Sequence, residues 1–290
     1  MSDCYCIWVV TPPDYDHSAA FYEVALGLQG GFQALGIPAQ IITSKDRIKG
    51  KTIVLGANLL PGMQGVVPPP KSILFNLEQI TPGSSWLTPA YLKLLKRYQV
   101  WDYSQYNINQ LGKLGISKVT HCPIGFSEKL QRIEHLQDKD IDVLFYGSMN
   151  ERRLQILEAL VNAGLKAEAV FGVYGKQRDE MIGRSRIVLN IHYFPSKIFE
   201  IVRISYLLAN RVCVVSEDSP SDSALESVQQ GIIQAPHEKL VTACKDLIDN
   251  NAWDAVAQRG FDVFSSRRQS DYLGDALAGN GAQRALHQTG

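Results

Sequence analysis

Three groups of residues have types and spacings suited to holding an anion or a small polar ligand. Lys197, Glu200 and Arg203 recur every three residues in KIFEIVR, which on a helix places them on one side. The turn Gly147-Ser148-Met149-Asn150 lies between the apolar run IDVLFY and the helical-period segment ERRLQILEALVNAG. A strand, a glycine turn and a helix start leave backbone N–H groups free to attract an anion, and Arg152 and Arg153 add charge-assisted contacts. Asn76, Glu78 and Gln79 follow the run ILF. All three groups sit just after a strand's carboxyl end, where open α/β sheets bind ligands. Plainer readings stand beside these. A mixed-charge row also describes a solvated helix face, and a turn with one glycine, where a dinucleotide fingerprint has three, is also an ordinary strand-to-helix connection.

The elements that must position these residues follow from periodicity. Ile187 to Asp218 reads as strand, turn, helix, strand, and the continuous runs IVLNI and VCVVS suit a parallel sheet covered on both faces. In the first half, strands at Cys4 to Val10, Ala39 to Thr43, Thr52 to Leu55, Ser72 to Leu77, Val100 to Ser104 and Lys118 to Cys122 alternate with helices at Ser18 to Leu35, Pro89 to Tyr98 and Ile108 to Leu114. Gly27, Gly30 and Gly31 are unfavourable inside a helix, which suggests close helix–sheet packing or a near ligand. Pro123 to Asp140 is polar and aperiodic and reads as a crossover. Ile141 to Tyr146 then opens a second alternating half, whose first helix turns Leu154, Ile156, Leu157, Leu160 and Val161 inward. Further strands at Ala167 to Phe171 and Ile232 to Ala235 precede helices at Lys239 to Asp249, Ala252 to Ser265 and Asp271 to Leu277.

The 290 residues suit two domains, with 45% hydrophobic and 20% charged residues to build two cores. Basic and acidic residues balance at 29 each, which argues against nucleic acid as a partner. The five cysteines are scattered without a CxxC pair, so neither a disulfide framework nor a zinc site is indicated, and a reducing cytoplasm fits. The N-terminal run lacks a basic leader, and no stretch approaches the ~20 apolar residues of a spanning helix. A peripheral membrane contact stays open.

With FYGSMNERR opening its second half and IFEIVRISYLLANRVCVVSE closing that half's core, the chain resembles the GT-B glycosyltransferases. The resemblance implies an α/β fold of two Rossmann-like doubly wound domains with a cleft between them. Residues 1–135 would form the acceptor-side domain, residues 136–266 the nucleotide-sugar donor domain, and residues 267–290 a helix and tail that in this family commonly crosses back to the first. The implied activity is transfer of a sugar from a nucleotide-sugar donor to a glycan, lipid-linked or other hydroxyl acceptor. Alternatives are a non-catalytic nucleotide-sugar binding protein and a GT-B-like epimerase.

The resemblance also implies roles. Gly147, Ser148 and Asn150 would lie by the donor diphosphate, with Arg152, Arg153 and Lys197 as counter-charges. Glu200 would meet the ribose and Arg203 would steady it or reach phosphate, while His192 and Tyr193 would border the pocket. The commonest form of the motif carries a Glu seven residues before the position held here by Cys213, where this chain has Tyr206. An E-x-x-R variant is therefore implied.

Guanidinium groups and helix starts can stabilise a leaving diphosphate without a metal, so no metal or other cofactor is expected. The D-x-D candidate Asp14-Tyr15-Asp16 lies in the first loop, and Asp14 or Asp16 suits an N-cap instead. An inverting reaction would need a base, for which Glu78 is preferred and His17 is second.

Overall fold

Strand β1 (Tyr5–Val9) is buried along its whole length, as is β4 (Ile73–Asn76), and β3 (Lys51–Leu55) is buried beyond its first residue. Strands without a polar face need cover on both sides, and parallel sheets wrapped by helices supply it. The computed structural model describes residues 4–81, 83–193, 199–220, 222 and 225–279. Lys197, one of the three-residue row, lies outside them.

The chain forms two α/β units, Met1–Lys129 with Arg268–Gly290 and Leu130–Arg267. The first carries a six-stranded parallel sheet of order β2-β1-β3-β4-β5-β6, completed by β2 (Ala39–Ile42), β5 (Gln99–Asp102) and β6 (Val119–His121). Its helices are α1 (Tyr22–Ala34), α2 (Pro89–Arg97), α3 (Gln105–Lys113) and, from the end of the chain, α10 (Gln269–Leu277). The second unit carries a five-stranded parallel sheet of order β11-β10-β9-β7-β8. Its strands are β7 (Ile141–Tyr146), β8 (Ala167–Val170), β9 (Ser185–Asn190), β10 (Cys213–Glu217) and β11 (Ile233–Ala235). Helices α4 (Glu151–Asn162), α5 (Gly175–Arg184), α6 (Ile201–Ala209), α7 (Glu226–Gln230), α8 (Leu240–Asp249) and α9 (Trp253–Ser265) complete it.

The helix glycines of α1 have a cause other than the sheet. A Cβ on Gly31 would stand 2.7 Å from the Leu273 side chain and 3.2 Å from the Gln269 backbone, both on α10, and one on Gly30 would strike Ser127. Close helix-to-helix approach demands the missing side chains. Gln269 secures the join, since its backbone N–H donates to the Phe126 carbonyl at 2.8 Å and its side-chain oxygen accepts from the Gly125 N–H at 2.8 Å.

Three local expectations are corrected. The N-terminal part of the expected Ser18 helix is a 3-10 turn over Asp16–Phe21, flanked by Tyr15 with no side-chain cap, so neither Asp14 nor Asp16 acts as N-cap. On α4, Leu154 and Val161 face outward, because the helix has the edge strand β8 beside it and its buried stripe is limited to Arg153, Ile156, Leu157 and Leu160. The short α7 arises in a stretch with no clear helical period. Most important, α6 begins only at Ile201. The Ile201 N–H donates to the Phe199 carbonyl at 2.9 Å and Glu200 sits at φ −84°, ψ 56°, which makes Glu200 the centre of an inverse γ-turn. Glu200 and Arg203 therefore do not share a helix face.

Candidate functional site

At the carboxyl end of β7 the backbone turns on Gly147, with φ +141°. Asn150 then starts α4, its side-chain oxygen accepting from the Arg153 N–H at 2.9 Å. Two guanidinium groups close on this turn. Arg153 is only 4% exposed. Its Nη1 donates to the Ser148 carbonyl at 2.6 Å, and its Nε and Nη2 donate to the Ile191 carbonyl, the former at 3.1 Å. Its plane lies over the rings of Phe145 and Tyr193, 5.1 Å from each centroid. Arg203 Nη2 donates to the Tyr146 carbonyl, and its guanidinium stands 4.1 Å from the Tyr146 ring centroid. The Arg203 Nε is buried with no partner among the described residues. Burial, opposed by the charge of Glu200 and reinforced by that of Arg203, pushes the Arg153 pKa down to about 10.

A Cβ at residue 147 would lie 3.4 Å from Arg203 Nη1 in a backbone region that side chains avoid. Gly147→Ala is expected to cost about 1–3 kcal/mol through that backbone strain, read as a lower denaturation midpoint of the second unit.

Arg152 is engaged differently. Glu217, at the end of β10 and 0% exposed, takes both arms of its guanidinium, Nη1 donating to Oε2 at 2.7 Å and Nη2 to Oε1. Arg152 Nη1 also reaches the His192 carbonyl at 3.3 Å, and the His192 N–H donates to Glu217 Oε2 at 3.2 Å. The His192 ring, 3% exposed, has Nδ1 at 3.4 Å from Glu200 Oε1 and Nε2 at 3.0 Å from Ser219 Oγ.

The structure thus gathers Gly147, Ser148, Asn150, Arg152, Arg153, His192, Tyr193, Glu200 and Arg203 at neighbouring strand ends. Glu217 was missed by sequence reasoning. The signal was there, since VCVVSE ends an apolar strand on an acidic residue, as NLEQ does. Tyr206, the departure from the family motif, is a packing residue. It is buried, its hydroxyl donates to Asp179 Oδ2 at 2.8 Å, and Arg178 lies over its ring at 4.6 Å. A carboxylate there would meet Arg178 and Asp179 rather than Arg153 and Arg203.

The first unit holds a second polar cluster, at the ends of β4 and β5. Asn76 Nδ2 donates to Asp102 Oδ2 at 2.6 Å and to the Glu78 carbonyl at 2.9 Å, while Asn76 Oδ1 accepts from the Tyr91 hydroxyl at 2.8 Å. Asn107 Nδ2 donates to the same Glu78 carbonyl at 2.9 Å and to Asp102 Oδ1 at 3.1 Å. The Glu78 backbone is therefore held at a fixed place beside a buried carboxyl. Its side chain accepts from Asn58 Nδ2 at 3.0 Å. Burial raises the Glu78 pKa to about 7 against the pull of that bond, and the Asp102 pKa to about 7 against four hydrogen bonds. Tyr15 adjoins, its own pKa raised by burial and then by the Glu78 charge. His17 is exposed, with its ring edge-on to Tyr15 at 5.3 Å. Asp102, Asn107 and Tyr91 were not singled out from the sequence.

Among the described residues no group of three or more His, Cys, Asp and Glu side chains could hold a metal ion, and no helix is long and apolar enough to cross a membrane.

No protein-family model matches the sequence. Uncharacterized protein L140 of Acanthamoeba polyphaga mimivirus is 27% identical over 186 residues, 61% of this chain and 59% of that one. This chain thus spans about three fifths of that relative's length. Among solved structures, HepE of Anabaena in complex with UDP and glucose superimposes with a TM-score of 0.62 at 11% identity, covering 96% of this chain and all of that one. The T4 phage β-glucosyltransferase does so with a TM-score of 0.55 at 12% identity, covering 96% and 99%. The chain has the GT-B fold, with two parallel-sheet, Rossmann-like units.

Proposed function

We propose that this protein is a glycosyltransferase that binds a nucleotide-sugar donor through its second unit and moves the sugar to a hydroxyl acceptor. The observation that carries the reading is the pair of guanidiniums, Arg153 buried and Arg203 half-buried, closing on the Gly147 turn with Glu200 alongside. Positive charge held in place before the reaction favours a leaving diphosphate, and a fixed dipole or cation there acts at little reorganisation cost. A carboxylate beside it can accept hydrogen bonds from a ribose diol. The fold adds support, because HepE was solved with UDP and with UDP-glucose.

In this reading Arg153 shapes the turn and Arg203 meets phosphate. Gly147 opens the turn beside the diphosphate, Ser148 and the Asn150-capped start of α4 supply backbone N–H groups, and Tyr193, 45% exposed, borders the sugar or base. Glu78 takes the acceptor proton, its raised pKa suiting a base near neutral pH; His17 is the second candidate. Lys197 stays a proposed counter-charge. The arginines do the electrostatic work, so transfer is metal-independent and EDTA leaves it unchanged. The acceptor is a glycan, lipid-linked or other hydroxyl compound, and all five cysteines being free suits a cytoplasmic setting.

The test is titration with UDP, ADP and GDP, followed by incubation with the matching nucleotide sugars and measurement of nucleotide release. Binding and release are expected. Binding without release for any donor and acceptor would return the chain to a non-catalytic binding role. Arg203→Ala is expected to weaken nucleotide binding by about 1–3 kcal/mol with little loss of stability, measured by calorimetry.

A further inference from the structure

We infer that the first unit docks on an anionic lipid surface through the amino-terminal rim of its sheet, the end opposite Glu78; the inference does not depend on the donor-site reading. Strands β3, β4, β5 and β6 are adjacent and parallel, so the chain enters all four from one side. Each entry carries an exposed cation. Lys51 opens β3, Lys71 and Arg97 each stand two residues before β4 and β5, and Lys118 stands one before β6. Ile53, Ile73 and Gln99 pair across three of these strands, and Lys51, Lys71 and Arg97 each lie two residues before that rung. Lys49, Lys96 and Lys113 flank the row, and residues 48–51, 64–72, 93–99 and 113–118 include no acidic residue. Asp14, Asp16, Glu78 and Asp102 lie instead at the carboxyl ends of the strands. In a chain with 29 basic and 29 acidic residues, this is segregation rather than excess.

Helix dipoles explain only part of the rim. Cations in a last helical turn answer the negative helix end, which accounts for Lys96 and Arg97 on α2 and Lys113 on α3. Lys49, Lys51, Lys71 and Lys118 stand outside any α-helix. Like charges gathered at one end repel each other, and an anionic surface relieves that repulsion. The apolar residues among the cations select lipid over nucleic acid. Val67, 52% exposed, precedes Lys71 in the connection to β4, and Leu114, 38% exposed, follows Lys113 in the connection to β6. Aliphatic side chains interleaved with cations suit the headgroup boundary, where apolar burial and attraction to anionic lipid add; a phosphodiester backbone offers the aliphatic groups nothing. Beside them a hollow of about 550 Å³, lined by Lys96, Arg97, Lys118, Ser117 and Thr120, has room for a phosphate headgroup. Contact at this rim keeps Glu78 and the strand ends around it turned away from the surface.

The experiment is co-sedimentation of the full chain with vesicles of phosphatidylcholine alone or mixed equally with phosphatidylglycerol, with and without short duplex DNA as competitor. Binding is expected to the mixed vesicles only, and it should fall as salt is raised. Lys71→Gln, Arg97→Gln and Lys118→Gln should each weaken it by about fivefold, and the three together by roughly 100-fold. Lys176→Gln, Lys239→Gln and Lys245→Gln together make the same charge change on the second unit and should leave binding as it is. Val67→Ser with Leu114→Ser should weaken it by roughly 10-fold. All the rim changes fall on exposed side chains, and an unchanged denaturation midpoint verifies that each variant folds. No binding to the mixed vesicles, equal binding to phosphatidylcholine alone, or equal loss from the second-unit changes overturns the inference. Displacement from the vesicles by duplex DNA, or full binding by the Val67 and Leu114 variant, overturns the choice of lipid as partner and the inference with it.

Discussion

Arg152→Ala should destabilise the Leu130–Arg267 unit by about 3–5 kcal/mol, the cost of breaking a buried ion pair by removing one partner. The two members are unequal. Glu217 is fully buried, whereas the Arg152 side chain is 37% exposed. Removing the arginine leaves a carboxylate that water cannot reach, while removing the glutamate leaves a guanidinium that can turn outward. Glu217→Ala should therefore cost less than Arg152→Ala, and the double variant should recover much of the loss. Chemical denaturation of the four proteins checks the order. Equal losses for the two single variants would show that the pair is not the asymmetric strut its burial indicates.

The second large effect concerns Glu78. Glu78→Gln should slow transfer by about 10²- to 10⁴-fold, the usual share of a general base, with nucleotide binding unchanged. The pH dependence is more diagnostic. With its pKa raised to about 7, Glu78 is increasingly ionised as pH rises through that value, so the rate should climb to a plateau above it. The Gln variant should lose that rise. Stability should move the other way. A carboxyl whose folded pKa lies above its ordinary 4.5 favours its neutral form in the native protein. Its contribution is then complete below about pH 4.5 and is lost as pH rises through 7. Asp102, raised from 3.8, has the same sign. The first unit should thus unfold more easily at pH 8 than at pH 5, and Glu78→Gln should flatten part of that slope. A rate profile that keeps its rise in the Gln variant would pass the base role to another group, with His17 the next to test.

Much of the architecture was legible because burial is written along the strands. Runs such as CIWVV, IDVLFY and VCVVS are dominated by apolar residues, and each became a parallel strand. What escaped depends on partners distant in sequence. Gly30 and Gly31 looked like helix defects until α10 and Ser127 were placed against them. Glu217 looked like the polar end of a strand until Arg152, 65 residues earlier, was found on it. Spacing of three suggested a shared helix face for Glu200 and Arg203, but a γ-turn intervened, and side chains cannot reveal where a helix begins when no capping residue marks it. Tyr206 shows the converse, since motif arithmetic pointed to a position whose neighbours are Arg178 and Asp179.

The return of α10 to the first unit has a consequence for how the protein is made. During synthesis the first sheet emerges before the second unit, yet the glycine face of α1 that receives Leu273 and Gln269 cannot be covered until Gln269–Leu277 has left the ribosome. The middle unit, contiguous from Leu130 to Arg267, meets no such delay. The first unit is therefore completed only after the second, and a nascent chain halted before residue 269 would present an open groove on α1, a natural point for a chaperone to bind or for two unfinished chains to associate.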